Sequence, residues 1–162
     1  AINRVMGKKQ LAELIDLAGS APSTGLLINP DEPQFAQPGG LGGRITDALR
    51  AQDSGIGALS EGEVVRVILE SLAARYARGI ADLSALTGSP ARQLNLVGGG
   101  SRNALLCQLT ADAVGVPVLA GPVEASVLGS LLAQLEIMDT LDPEDRNAVI
   151  AASARTVRYE PA

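Results

Sequence analysis

The chain has 162 residues, of which 46% are hydrophobic and 19% charged, a composition typical of one globular domain. Its 18 aspartates and glutamates outnumber its 13 lysines and arginines, which gives a formal net charge of −5. This acidic balance argues against binding to nucleic acid or anionic membranes, which depends on lysine and arginine. The chain contains no histidine, which excludes Ser-His and Cys-His catalysis, an imidazole base and His-ligated zinc from its own residues.

The cysteine and hydropathy patterns point to a reducing compartment. Cys107 is the only cysteine, so no disulfide can form within the chain, as is typical of cytoplasmic proteins. The sequence has no apolar run as long as a membrane span and opens with no signal peptide. Either feature would indicate a membrane-bound or secreted protein. We therefore expect a cytoplasmic protein that binds neither nucleic acid nor membranes.

The first third of the chain predicts two helices separated by irregular structure. Lys8–Gly19 carries apolar residues at helical spacing, and Leu26–Ile28 has the composition of a short strand. Asn29–Gly43 holds seven glycines or prolines in fifteen positions, which predicts an extended loop because proline cannot donate a backbone hydrogen bond. Leu41–Gln52 predicts the second helix.

A long amphipathic helix is predicted next. Ser60 and Glu63 have the spacing of a capping box, and Gly88 is the expected stop. Apolar residues then recur every three or four positions, at Val65, Ile68, Leu72, Tyr76, Ile80 and Leu83. This stripe predicts that Leu72 and Tyr76 are buried and that Arg75 and Arg78 are exposed.

The remainder of the chain alternates strands and helices. Strands are predicted at Gln93–Val97 and Val116–Ala120, and helices at Arg102–Val114, Glu124–Glu136 and Pro143–Ala154. Strand, turn, helix, strand and helix in quick succession indicate an α/β fold in which helices cover a sheet.

The turn after the first of these strands carries the chemical information. Gly98, Gly99 and Gly100 follow the strand, and Ser101, Arg102 and Asn103 lead into the helix. Consecutive glycines let a ligand approach the backbone, and a helix start offers free amides to an anion. The other interpretation is a tight strand-to-helix turn without a ligand, although three glycines exceed what such a turn requires.

Two common nucleotide-binding motifs do not fit this turn. A P-loop needs a lysine after the glycines, and the chain has no lysine beyond residue 9. A dinucleotide fingerprint needs a third glycine where Asn103 stands, and an acidic residue where the next strand ends in Ala120, Gly121 and Pro122.

The segment Asn95–Leu135 resembles the C-terminal domain of the FGGY family of carbohydrate kinases. In that family a strand ending in a Gly-Gly turn leads to a helix, a short strand and a helix that begins Glu-Ala-Ser/Thr-x-x-Gly. Here the last helix begins Glu124-Ala125-Ser126. The stretch Ile28–Phe35 (INPDEPQF), together with Ala120–Ser126, most resembles the family members that phosphorylate L-rhamnulose.

The resemblance implies an α/β fold of the actin-like ATPase (ribonuclease H-like) class, whose C-terminal domain binds ATP. By position in the motif, Gly99 would lie against the adenosine or α-phosphate of ATP, and Gly98 and Gly100 would permit its approach. Asn103 would offer its amide to the nucleotide. The other interpretation of Asn103 is a polar residue at a helix start, bonded to local backbone or water.

The resemblance further implies that residues 1–162 are the C-terminal nucleotide-binding domain of a longer kinase, truncated at the N-terminus. The catalytic aspartate, the phosphate-binding hairpin and the Mg²⁺ ligands lie in that family ahead of this segment, so no catalytic or metal-ligating residue is assigned within the chain. The implied activity of the longer protein is in-line transfer of the ATP γ-phosphoryl group to L-rhamnulose, with an N-terminal domain of the same protein holding the ketose. The chain alone is expected to be inactive.

Three alternatives stay open at this point. The parent could be another sugar kinase of the family, of the xylulose or fuculose type. The chain could be a non-catalytic actin-like module that binds nucleotide. It could also be a Rossmann-type oxidoreductase or methyltransferase domain, against which the missing acid after Ala120 already counts.

Overall fold

The computed structural model of the chain describes residues 11–153 and 155–162. The helices within these ranges are α1 (Leu11–Ser20), α2 (Pro33–Ala36), α3 (Leu41–Gln52), α4 (Glu61–Thr87), α5 (Ala104–Val114), α6 (Ala125–Ile137) and α7 (Arg146–Ser153). The strands are β1 (Leu94–Leu96), β2 (Val118–Ala120) and β3 (Val157–Tyr159), and short 3₁₀ helices span Gly99–Arg102 and Pro143–Asp145. None of the described helices is both long and apolar enough to cross a membrane.

The described strands form one mixed sheet in the order β1-β2-β3. β1 pairs in parallel with β2, with Leu94 opposite Val118, and β2 pairs antiparallel with β3, with Val118 opposite Tyr159. The strands predicted at Gln93–Val97 and Val116–Ala120 are confirmed with shorter bounds, and of the helices after them α5 begins two residues later than predicted and α6 is shifted by one residue. β3 was not predicted, because its alternation of apolar and polar residues (Val-Arg-Tyr) covers only three positions, two of them exposed.

The long helix α4 begins and ends as its sequence predicts. The Ser60 hydroxyl oxygen accepts a hydrogen bond from the Glu63 amide (3.3 Å), and the Glu63 carboxylate accepts one from the Ser60 amide (2.8 Å). The Ser60 hydroxyl also donates to the Glu63 carboxylate (2.7 Å), and this hydrogen bond, together with the one from the Ser60 amide, holds the pKa of Glu63 below its usual value. Gly88 ends the helix in a left-handed conformation with φ of 67°, which glycine adopts without strain.

Two apolar clusters form on either side of the first half of α4. One joins α1, α4 and α5 through Leu14, Ala18, Val65, Leu69 and Leu106. The other packs the loop after α1, together with α3, against α4 through Ile28, Ile45, Leu49, Val64 and Val67. The first half of α4 is therefore the element around which α1, α3 and α5 pack.

The stripe predicted on α4 is wrong in its second half. Arg75 and Arg78 are exposed as predicted, but Leu72 is only half-buried and Tyr76 is 38% exposed. No described residue of α4 beyond Ala73 is buried. Within the first half, only Val65 of the stripe is buried and Ile68 is half-buried, whereas Val64, Val67 and Leu69 are buried because apolar clusters pack on two sides of α4. The stripe therefore marks only part of the buried surface of α4, and its second half continues past the buried residues.

Two predictions for the first third of the chain are also wrong. Leu26–Ile28 is not a strand, because the Ile28 amide donates to the Ser71 hydroxyl of α4 (3.0 Å) instead of to a neighbouring strand. Asn29–Gly43 is not all loop, because α2 begins at Pro33. A proline at the first helical position has no amide to satisfy and a φ suited to the helix. The predicted helices Lys8–Gly19 and Pro143–Ala154 each include residues outside the described ranges.

Candidate functional site

The glycine turn lies at the edge of the sheet where β1 and β2 both end. The Gly98 amide donates to the Pro122 carbonyl (3.1 Å), and the Gly121 amide donates to the Leu96 carbonyl (2.9 Å). The two strand-to-helix connections are therefore joined side by side. In open α/β sheets, ligands bind beyond the carboxyl ends of parallel strands, which is the position of this turn.

Gly98 and Gly99 have different parts in the shape of the turn. Gly98 has φ 79° and ψ −163°, a backbone conformation that is almost confined to glycine. Gly99 has an ordinary φ, and a Cβ atom built on it would meet no atom within 4 Å. Gly98 is thus required by the backbone, whereas Gly99 leaves an open, exposed surface where a ligand can approach.

The backbone of the turn offers free donors to that surface. The 3₁₀ helix is closed by hydrogen bonds from Ser101 to Gly98 (3.1 Å) and from Asn103 to Gly100 (3.0 Å). Among the described residues, none accepts a hydrogen bond from the amides of Gly99 and Gly100. Two adjacent amides without acceptors suit an anionic or carbonyl oxygen of a ligand.

Asn103 separates the 3₁₀ helix from α5. Its backbone is extended, and its side-chain oxygen accepts a hydrogen bond from the Leu106 amide (3.0 Å), which makes it the N-cap of α5. The predicted helix Arg102–Val114 is therefore broken at this residue. The side-chain oxygen therefore bonds to local backbone at a helix start, which is the alternative interpretation of Asn103 given above. The side-chain NH₂ group donates to no described residue. Its contact with a ligand stays a prediction.

Cys107 lies beneath the turn and supports it from the inside. The thiol is fully buried, and its Sγ atom lies 3.7 Å from the Ser101 carbonyl oxygen. Burial raises the pKa of the thiol, which disfavours the thiolate that a nucleophile or a metal ligand requires. Cys107 is a packing residue of the site.

The acidic residues do not form a metal centre in the part of the chain that the structure describes. No group of three or more Asp, Glu or Cys side chains there comes together to hold a metal ion. Glu124, at the start of α6, is exposed and makes no capping hydrogen bond with its side chain. β2 ends in Ala120, with Gly121 and Pro122 after it, so the acid of a Rossmann ribose site is not provided.

An ion pair near the site was not predicted. The Arg75 guanidinium of α4 donates to the Asp31 carboxylate, which raises the pKa of Arg75. The pair lies between two grooves of about 600 and 490 Å³, neither of which includes the glycine turn. The two residues are 44 positions apart and no local pattern links them, so only the packing of the loop on α4 brings them together.

Comparison with known proteins identifies the fold and the family. The structure superposes on a xylulose kinase from Rhodospirillum rubrum with a TM-score of 0.60, at 24% sequence identity, over 93% of this chain and 29% of that protein. The fold is therefore the α/β fold of the actin-like ATPases, as predicted. Residues 1–136 match the FGGY family of carbohydrate kinases, C-terminal domain, and the chain belongs to this family.

A curated relative gives a more specific likeness. The chain is 43% identical over 127 residues to a rhamnulokinase from Pectobacterium carotovorum subsp. carotovorum (strain PC1). The match covers 78% of this chain and 25% of the relative, so the chain spans about a quarter of the length of the curated protein it matches.

Proposed function

We propose that this chain is the ATP-binding part of a sugar kinase that transfers the γ-phosphoryl group of ATP to L-rhamnulose, giving L-rhamnulose 1-phosphate. The observation that carries the proposal is the open turn Gly98–Gly100 at the carboxyl ends of two parallel strands, in a member of a carbohydrate kinase family. The 43% identity to a rhamnulokinase favours L-rhamnulose among the ketoses.

Nucleotide binding is the contribution we assign to the chain itself. The exposed surface at Gly99 would lie against the adenosine or the α-phosphate, and the amides of Gly99 and Gly100 would donate to it. The side-chain amide of Asn103 is free to donate from the other end of the turn, because its oxygen already caps α5. Held in this way, the nucleotide is anchored to the sheet through two connections that are themselves hydrogen-bonded.

The sugar site, the catalytic base and the Mg²⁺ ligands belong, in this proposal, to the rest of the enzyme. Among the described residues, no three Asp, Glu or Cys side chains come together as a metal site. Phosphoryl transfer depends on positioning and on charge stabilisation around the transferred group. The chain alone should therefore bind MgATP weakly and show no turnover with L-rhamnulose.

The test is substitution of Gly99 by valine in the whole enzyme. A Cβ atom on Gly99 contacts nothing in the protein, so the fold should survive, whereas the isopropyl group would occupy the space proposed for the nucleotide. We expect the KM for ATP to rise about tenfold or more, equivalent to about 1.4 kcal/mol or more, with little change in the KM for the sugar. Gly129→Ala is the matched control, since Gly129 is also exposed and without neighbours but lies on α6.

Three outcomes would contradict parts of the proposal. An unchanged KM for ATP in a folded Gly99→Val enzyme would remove the turn from the nucleotide site. Loss of folding in both Gly99→Val and Gly99→Ala would make the turn purely structural. An ADP-release assay with L-rhamnulose, D-xylulose and L-fuculose tests the sugar, and preference for either of the last two would overturn the L-rhamnulose assignment alone.

A further inference from the structure

One face of α4 holds the C-terminal end of α1. Gly62, Arg66 and Glu70 are spaced four residues apart, which places them on the same face of the helix. A Cβ atom built on Gly62 would lie 2.7 Å from the Leu17 carbonyl oxygen, so the two backbones approach closely there. One turn further on, the Arg66 guanidinium donates to the Ala18 carbonyl oxygen (3.5 Å). The end of α1 is therefore held at two successive turns of α4.

Arg66 supplies a charge that α1 itself lacks. The last four carbonyl groups of a helix have no partner within the helix, and a cation near them is favourable. The last turn of α1 contains no basic residue. The guanidinium that takes this place comes from α4, 48 positions from Ala18 in the chain, so it joins the two helices as well as stabilising the end of α1.

Glu70 holds the Arg66 guanidinium in place. One oxygen of its carboxylate accepts from the Arg66 Nε (2.6 Å), and the other accepts from the hydroxyl of Ser23 in the loop after α1 (2.9 Å). The side chains of Arg66 and Glu70 are only 20% and 12% exposed. Because the pair is largely shielded from water, it is stronger and better ordered than an ion pair on the surface.

Helix α1 in turn holds the start of α5. Leu14 and Ala18 of α1 belong to the buried cluster that includes Leu106. Leu106 is the third residue of α5, and its amide donates to the side-chain oxygen of Asn103. Leu106 thus packs on α1 through its side chain and fixes Asn103 through its backbone. A shift of α1 would move the residue whose side-chain amide is proposed to contact the nucleotide.

We propose that Arg66 and Glu70 are positioning residues of the nucleotide site. They lock the end of α1 on α4, and α1 holds the first turn of α5, with Asn103, in the arrangement that binds ATP. This inference rests on the proposed function, which places ATP at the Gly98–Gly100 turn. Among the described residues, neither Arg66 nor Glu70 has a hydrogen bond to that turn, so their effect on ATP is carried by the packing of α1 on Leu106.

The test separates ATP binding from stability in the whole enzyme. Arg66→Met keeps a long side chain but removes the contacts with Ala18 and Glu70. We expect the KM for ATP to rise about three- to tenfold, the range for residues that act on a site through packing, with kcat and the KM for the sugar unchanged. Arg66→Lys keeps a cation at the end of α1 and should restore most of the affinity for ATP. An unchanged KM for ATP in a folded Arg66→Met enzyme would overturn the proposal.

Leu49→Ala is the control for a general loss of stability. Leu49 is fully buried in the other apolar cluster, which α3 and the loop after α1 form with α4. Its truncation should lower the melting temperature at least as much as Arg66→Met and leave the KM for ATP unchanged. If it raises the KM for ATP as much as Arg66→Met does, destabilisation alone explains the effect and the proposal fails.

Glu70→Gln tests the other half of the pair with a variant that keeps the shape of the side chain. Loss of the charge weakens the hydrogen bonds from Arg66 and Ser23, and we expect the KM for ATP to rise about twofold or more. Failure of Glu70→Gln to fold would make the pair purely structural and would also overturn the proposal.

Hydrogen exchange reports the position of α5 directly. In Arg66→Met, the Leu106 amide should exchange about tenfold faster than in the wild-type enzyme, because the turn that caps it is less firmly held. The Leu94 amide, which donates to the Pro117 carbonyl within the sheet (2.9 Å), is the internal reference and should not change. Equal exchange of the Leu106 amide in the two enzymes would contradict the proposal.

The outcomes distinguish this proposal from the proposed function. A raised KM for ATP in Gly99→Val with no change in Arg66→Met would overturn the positioning role alone. An unchanged KM for ATP in Gly99→Val would overturn the nucleotide site and the positioning role with it. A preference for another sugar, with a raised KM for ATP in Arg66→Met, would disprove the L-rhamnulose assignment and leave the positioning role in place.

Discussion

Truncation of Leu69 to alanine should destabilise the domain more than any change at the exposed end of the same helix. Leu69 is 2% exposed and packs between α1 and α5, in the cluster with Leu14, Ala18 and Leu106. Removing its three outer side-chain carbons costs about 2 kcal/mol in transfer free energy. The cavity left between three helices brings the expected loss to about 3–5 kcal/mol, because helices that are packed on both sides cannot close it.

The assay is thermal and urea unfolding followed by circular dichroism, with Leu86→Ala as the matched control. A loss of this size should lower the melting temperature by about 6–20 °C for a chain of this length. Leu86 is 84% exposed on the same helix, so its truncation should change the free energy of unfolding by no more than about 0.5 kcal/mol. A small and equal effect of the two substitutions would refute the placement of the core on the first half of α4.

Two further predictions concern the start of α4. Gly62→Ala should lower the free energy of unfolding by about 1–3 kcal/mol, because the new Cβ atom would lie 2.7 Å from the Leu17 carbonyl oxygen of α1. The control is Gly129→Ala, which should not lower it, because a Cβ atom at Gly129 meets no neighbour. Equal urea midpoints for the two variants would contradict this prediction. Ser60→Ala should cost about 0.5–2 kcal/mol at neutral pH through loss of the cap. Hydrogen bonds from Ser60 lower the folded-state pKa of Glu63 from 4.5, so this part of the stability is present above pH 4.5 and is lost as the pH falls through the lowered pKa. The difference in melting temperature between the wild-type protein and Ser60→Ala should therefore narrow in acid. A difference independent of pH would show that the Glu63 carboxylate has no part in the cap.

Most of the local structure was predictable, because the signals that define it lie within a few residues of one another. The capping box at Ser60 and Glu63, the left-handed stop at Gly88 and the glycine turn after β1 are each set by neighbouring residues. The same holds for the class of fold, since alternating strands and helices leave few ways to cover a sheet. The family followed from motifs of this kind and was confirmed by the match over residues 1–136.

The candidate site was predictable as a position but not as a geometry. The sequence indicates glycine at three consecutive positions, but not that Gly98 alone needs its unusual backbone or that Gly99 faces open space. Nor does it show that the side-chain oxygen of Asn103 is taken up by the helix cap. These distinctions depend on where α5 and the Gly121–Pro122 connection lie in relation to the turn.

By itself the sequence determined the helices other than α2, the strands β1 and β2, the glycine turn after β1 and the kinase family, because short-range spacing, backbone preferences and local motifs suffice for each. Only the tertiary structure decided which half of α4 is buried, because burial depends on the length over which α1 and α5 pack on it. It likewise decided the partner of Arg75, the exposure of Tyr76 and the contact of Glu70 with Ser23. Each of these depends on contacts between segments far apart in the chain, or on the lack of a neighbour among the described residues, and neither leaves a periodic pattern in the sequence.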